Sequence, residues 1–457
     1  MAEKRTRKSR VASNSRLDDY TKLFAVVSTS AIIAVAFFAV YFDEISQRGI
    51  KQINVSQFPS NVYREVLQLR EPVILTSTVA DRWKASKWTF EFLSQRLPYI
   101  EVYRQESSRV FMTFHDNKPL EHLVNEDWSD FNKKINVTIP DVLKWQEFDE
   151  GHDKSGGEYL YFSRDISLLR DQFPEVVSHI SPISDFVVSE GGVQINLWIG
   201  RAGIITHTHY DAMYNLFYQI RGQKRFTLFP PSSLLYLYPC LHPHYGHSQV
   251  DIVSSDQQKF PLLNRTGEVV VVVNPRELLV VPPFWFHHVE TLQDSLSLNV
   301  WNDAPEYVVM NKIYTKPVPL ELDWSLERRV KATRLYIHQL LSALHIHSDE
   351  FLQFIFLTRY YPLYGFETTH PNLQVNVTVI PMIQRACETD WSITENTLSM
   401  SDVSRCLSEV VPLFREIGDR DIMKMLAGNY LEHVVRVCVG LDYVYSFFEV
   451  CQVTGLK

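Results

Sequence analysis

His209-Tyr210-Asp211 sets an imidazole and a carboxylate two positions apart. On a β-strand, residues two apart point to the same face, so these side chains would aim at one point. Further along, Pro282-Pro283-Phe284-Trp285-Phe286 leads into His287 and His288, either of which supplies a second imidazole. Two imidazoles and a carboxylate that leave coordination positions open are the ligand set of mononuclear non-haem iron(II). A lone His-x-Asp is common. Its weight here comes from its neighbours: a predicted strand carries it, buried-looking strands follow it, and the later His comes after the apolar run Leu279-Val280-Val281.

Other histidines are weighed against the same site. By strand alternation His207 shares the face of His209, and it is read as structural, because three ligands suffice. His242, His244 and His247 lack zinc-ligand spacing and read as a solvated loop. Cys387, Cys406, Cys438 and Cys451 allow two disulfides or buried thiols, with Cys240 left over; no CxxC spacing occurs.

The elements that must position these groups are short strands. Apolar runs at 71–75, 100–103, 109–114, 158–162, 193–199, 204–210, 216–220, 225–229, 269–273, 278–281 and 296–301 are punctuated by Arg221-Gly222, Pro230-Pro231 and Asn274-Pro275. The spacing predicts a mainly β fold, a double-stranded β-helix of the jelly-roll or cupin kind. Beyond Pro305 the period becomes helical. Residues 325–346 carry Val330, Ile337, Leu340, Leu341 and Leu344 on one stripe behind Ser325 as N-cap, and 348–361, 401–417 and 420–439 follow suit.

Residues 23–42 hold twenty positions without a charge, enough as a helix to span about 30 Å of bilayer core. Seven Lys/Arg against three acidic residues in 1–22 give that tail a net charge of +4. Asp43 and Glu44 flank the other side, so the positive-inside rule predicts type II topology with the bulk in an ER or Golgi lumen. Sequons at Asn54, Asn136, Asn264 and Asn376 fit that side of the membrane. The whole chain has a charge of −8, which leaves −12 beyond the tail and excludes a basic nucleic-acid footprint. The expected organisation is a basic cytosolic tail (1–22), a transmembrane anchor (23–42), a stem (43–57), a catalytic β domain (58–309) and a C-terminal α-helical module (310–457).

In combination, Leu197-Trp198-Ile199-Gly200, the His209 to Asp211 triplet, GQKRFTLFPP from Gly222, Ser248-Gln249-Val250-Asp251, PPFWFHHVETL from Pro282 and Asn299-Val300-Trp301 resemble the JmjC or cupin-8 family. The likeness covers roughly residues 58–305 and is nearest to protein-asparaginyl hydroxylases. It implies an Fe(II)- and 2-oxoglutarate-dependent dioxygenase, with His209, Asp211 and His287 as metal ligands and dioxygen as co-substrate. Lys224 resembles the lysine that pairs with the distal carboxylate of 2-oxoglutarate. Thr206 and Tyr161 resemble its hydroxyl partners, and Asn215 and Asn299 match polar positions beside metal and co-substrate. Trp301 is expected to pack beneath the site. Gly246 and His247, just before Ser248, depart from the polar pair that contacts substrate in the asparaginyl hydroxylases, so the resemblance does not carry asparagine over as the residue oxidised.

The resemblance implies hydroxylation of a protein side chain, with lysyl demethylation as a rival within the family; the helical module 310–457, read from its periodicity, either supports a homodimer or buttresses the barrel. Two readings lie outside it. One is a non-catalytic cupin scaffold. The other is a type II glycosyltransferase using Asp419-Arg420-Asp421 as a DxD motif, which no nucleotide-binding βαβ pattern accompanies.

Overall fold

Strand alternation closes the chain into two facing sheets. The computed structural model describes residues 50–57, 62–105, 109–111, 133–144, 159–169, 173–181, 186, 193–241, 244–253, 255–321, 323–364, 380–388 and 400–453. The expected membrane anchor at 23–42 and the basic tail lie outside the described residues. Among the described residues no helix is long and apolar enough to cross a membrane. The chain divides into two units, Met1–Gln52 and Ile53–Lys457.

From Val73–Thr76 the larger sheet runs, in spatial order, through Leu278–Val281, Met213–Arg221, Ser295–Asp303, Val193–Gly200, Tyr159–Asp165, Ile100–Gln105 and Lys134–Val137. All these pairings are antiparallel. The smaller sheet runs Val269–Val273, Lys224–Phe229, Phe286–Thr291, Ile205–Tyr210 and Val110–Phe111. This is the cupin architecture expected from the strand spacing. The structure adds strands to those the sequence pattern predicts: His287 and His288 do not merely follow a strand but lie on one, Phe286–Thr291. The polar stretch after Asn117, which reads as loop, also contains the strand Lys134–Val137 and the helix Ile139–Leu143.

Met213–Arg221 is buried along nearly its whole length because both edges are paired and one face meets the smaller sheet. A tight turn then brings the chain back. Gly222 takes φ +69°, and a Cβ there would stand 2.1 Å from the Asp294 carbonyl oxygen, so only glycine fits. That turn sets Lys224 at the start of the next strand.

Helices follow from Pro305. Leu326–Ala343 is capped by Ser325, whose Oγ accepts from the Arg328 N–H, and its buried stripe is the expected one. Met400–Glu416 and Arg420–Cys438 fall within one or two residues of the periodicity. These helices share a core with the strands: Tyr210, Phe229, Phe284 and Phe286 pack in one cluster with Leu335, Leu431 and Val434. The Asp419 carboxylate accepts from the N–H groups of Asp421 and Ile422, so Asp419 of the DxD triplet serves as a helix cap. Cys387 and Cys451 form a disulfide, while Cys240, Cys406 and Cys438 are buried thiols.

Candidate metal centre

His209 and His287 face each other across the antiparallel pairing of Ile205–Tyr210 with Phe286–Thr291, their rings 4.2 Å apart between centroids. Asp211 stands just beyond the first strand, and its Oδ2 lies 3.7 Å from His287 Nε2. Ligand-capable atoms of His209, Asp211 and His287 all lie within 4.8 Å of one another, the one such group of three among the described residues.

Backbone partners orient both rings. His209 Nδ1 lies 2.7 Å from the His207 carbonyl oxygen and His287 Nδ1 lies 3.0 Å from that of Trp285. A neutral imidazole that donates from Nδ1 presents a bare Nε2, the tautomer a metal ligand needs. Burial, with His209 alongside, pushes the His287 pKa down to about 4 although Asp211 pulls the other way; the ring is therefore neutral at pH 7 with its lone pair available. Asp211 Oδ2 accepts from Asn215 Nδ2 and from Trp301 Nε1, each at 3.1 Å. Asn215 in turn accepts from Asn299 Nδ2 at 3.0 Å, and Asn299 accepts from Trp198 Nε1 at 2.7 Å. Asn215 and Asn299 are thus a relay behind the carboxylate. Trp301, expected as packing, donates a hydrogen bond to it.

A bulge explains which side chains reach the site. Val289 pairs with Thr206 and His287 with His209, so two residues, His207 and Thr208, oppose His288 alone. The extra residue returns Thr206 to the face of His209 and turns His207 away. His207 is therefore not beside His209, as plain alternation predicts. It is buried near His288, whose Nδ1 lies 3.4 Å from Thr208 Oγ1.

The larger sheet supplies Tyr161, Trp198 and Phe217 to the opposite wall, where they meet Lys224 of the smaller sheet. Lys224 is 1% exposed, and its Nζ donates to the Tyr161 hydroxyl at 3.0 Å. Thr206 Oγ1 is 3.5 Å from the same hydroxyl. Rings of Tyr161, Trp198 and Phe217 surround the Nζ at 5.3 to 5.9 Å. Among the described residues no carboxylate lies within ion-pairing distance of it. A buried ammonium without a counter-ion is costly, and an anionic ligand would relieve that cost.

Both walls open on a cleft of about 670 Å³ that reaches from the triad past Tyr161 and Trp198 to Glu101, Lys134 and Arg164. The loop expected to be solvated closes one side. His209 bridges to His247 through backbone pairing, Tyr210 N–H donates to the Gly246 carbonyl at 2.9 Å, and the His247 ring stacks on His209 at 5.6 Å. His244 is buried and lines the cleft, whereas His242 lies outside the described residues. Nothing in the local sequence signals this pairing, because it depends on a long excursion returning to the strand edge.

The family model for the cupin-like domain matches residues 59–306, more than half of the chain. The chain belongs to the cupin-like, JmjC-type family. Over 265 residues this cupin-like chain is 27% identical to HSPB1-associated protein 1 of Rattus norvegicus, covering 54% of this chain and 52% of that protein. It is 33% identical over 242 residues to lysine-specific demethylase 8 of Xenopus tropicalis, covering 51% and 48%. With tRNA wybutosine-synthesizing protein 5 of Gallus gallus it shares 28% identity over 243 residues, covering 53% and 74%. The cupin-like chain thus spans about half the length of the HSPB1-associated protein 1 relatives. Every member of the triad and of the Lys224 pocket falls inside the matched stretch.

Proposed function

We propose that this chain is an Fe(II)- and 2-oxoglutarate-dependent oxygenase that hydroxylates a protein side chain, anchored at an endomembrane through residues 23–42 with its catalytic domain on the lumenal side. The observation that carries the reading is an open His-Asp-His triad together with a buried Lys224 that has no carboxylate partner among the described residues. His209 Nε2, His287 Nε2 and one Asp211 oxygen would hold the metal on one side, leaving the cleft side open. Lys224 would pair with the distal carboxylate of 2-oxoglutarate, with the Thr206 and Tyr161 hydroxyls beside it. Iron with 2-oxoglutarate and dioxygen supplies an oxidant strong enough to hydroxylate an unactivated C–H bond. The protein's own part is orientation: the carbonyls of His207 and Trp285 fix the imidazoles, and Asn215 and Trp301 fix the carboxylate. Aromatic walls around Lys224 keep water from competing for the ammonium.

The charge of −12 beyond the basic tail favours a protein over a nucleic acid as substrate. The likeness to a protein named as a lysine-specific demethylase supports demethylation as the second reading. Purified protein supplied with Fe(II), 2-oxoglutarate and candidate peptides tests both. Succinate release that His209→Ala and Asp211→Ala abolish is the expected result. Iron-dependent succinate release retained in either variant removes the triad assignment. No release from wild type favours a cupin scaffold, and formaldehyde among the products favours demethylation.

A further inference from the structure

Tyr210 sits between two members of the triad, and its ring packs against Phe284 and Phe286 at 5.6 and 5.0 Å, the residues leading into His287. Its hydroxyl points into the helical layer and accepts from Asn429 Nδ2 at 3.2 Å, a bond between positions 219 residues apart. Asn429 is itself held, since its Oδ1 accepts from Arg359 Nη2 at 2.7 Å. Arg359 Nη1 donates to Glu432 Oε2 at 2.6 Å, and the Tyr360 hydroxyl donates to the other Glu432 oxygen at 2.7 Å. Arg359, Asn429 and Glu432 are at most 1% exposed. Gly428 leaves the guanidinium room: a Cβ there would lie 3.3 Å from Arg359 Nη2.

A fully buried ion pair returns little net stability compared with apolar packing, so its presence asks for a positional use. The same segment grips the site from a second direction. Gln249 Nε2 donates to the Arg359 carbonyl at 2.8 Å and to that of Pro239 at 2.9 Å. Gln249 belongs to the loop that stacks His247 on His209, and Arg359 lies in a wide π-turn, Phe356–Tyr360. Both restraints originate beyond residue 306, outside the stretch that the family model matches.

We propose that Arg359, Asn429 and Glu432 are positioning residues that fix Tyr210, and through it His209 and Asp211, so that the C-terminal helices set the metal affinity of the centre. The inference rests on the triad being a metal site. It is tested on the full chain by titrating Mn(II) and following the free ion by electron paramagnetic resonance, well below the unfolding temperature. Tyr210→Phe and Asn429→Leu should each weaken binding about fivefold or more, as loss of one buried restraint behind a ligand does, and the double variant should bind no worse than the weaker single. Val410→Ala, a buried truncation in Met400–Glu416, lowers stability and should leave binding unchanged. Tyr210→Phe alone decides the matter if Asn429→Leu does not fold. Wild-type affinity in Tyr210→Phe, or equal weakening in Val410→Ala, overturns the proposal. A wild-type protein that binds no Mn(II), or binds it as well with His209→Ala, removes the metal centre and the positioning role together.

Discussion

The Tyr161 hydroxyl reaches Lys224 Nζ at 3.0 Å because Gly200, its partner across the ladder, has no side chain: a Cβ there would stand 2.9 Å from the Tyr161 ring. The Gly200 of the Leu197-Trp198-Ile199-Gly200 motif therefore belongs to the Lys224 pocket, the proposed 2-oxoglutarate site, although it offers no polar group. Lys224 comes from the smaller sheet and Tyr161 from the larger, so the pair also marks where the two walls meet.

Replacing the ammonium separates function from stability. Lys224→Met keeps an unbranched side chain one atom shorter and removes a buried charge that has only one hydroxyl partner among the described residues. Loss of a charge-assisted contact to 2-oxoglutarate should raise its KM by about 10- to 100-fold. The unfolding temperature should hold or rise, because the desolvation cost of the ammonium disappears. Calorimetric unfolding alongside succinate kinetics checks both. A variant with wild-type KM would mean that Lys224 does not meet the co-substrate.

Gly200→Ala should act through Tyr161. The added methyl displaces the ring, so the hydroxyl no longer caps Lys224, and the KM for 2-oxoglutarate rises while the metal ligands stay in place. The expected signature is KM up by about fivefold or more with Mn(II) affinity unchanged. Equal loss in both would point to a general distortion of the larger sheet instead.

How far the site could be read from the chain follows from which contacts are local. His209 and Asp211 were legible because a two-residue spacing at the end of a strand sends both side chains to one side. The C-terminal helices were legible because caps and a 3.6-residue period are local. The bulge opposite His288 was not. One extra residue shifts the alternation, so His207 reads as a neighbour of His209 when it lies on the other face. The Asn429 bond to Tyr210 and the return of Gly246 and His247 to the strand edge join distant segments, and no short-range pattern encodes them.

The far face of that bulge predicts acid lability of the metal-free protein. Burial pushes the pKa of His207 and of His288 down to about 4 from an ordinary 6.5. Below 6.5 the unfolded chain takes up protons that the folded protein refuses, so the stability is complete above that pH and is lost as pH falls toward 4. At pH 5 the loss should amount to roughly 2 to 4 kcal/mol for the two groups together. Urea unfolding of metal-free protein at pH 7.5 and pH 5 measures it, and an unchanged midpoint would contradict the neutral, buried placement of both rings.

The proposed lumenal orientation makes a prediction that the sequons can report. Asn54, Asn136 and Asn264 are exposed, so an oligosaccharide on any of them would meet solvent rather than the core; Asn376 lies outside the described residues. A catalytic domain translocated behind residues 23–42 would carry glycans at some of these positions. Full-length protein expressed in animal cells should then lose apparent mass on endoglycosidase treatment, and Asn→Gln changes at the three exposed sites should remove that loss stepwise. In sealed microsomes the domain should resist added protease until detergent opens them. Protein that shows no glycan and is cleaved without detergent would place the domain on the cytosolic side, and the substrate would then be sought among cytosolic proteins.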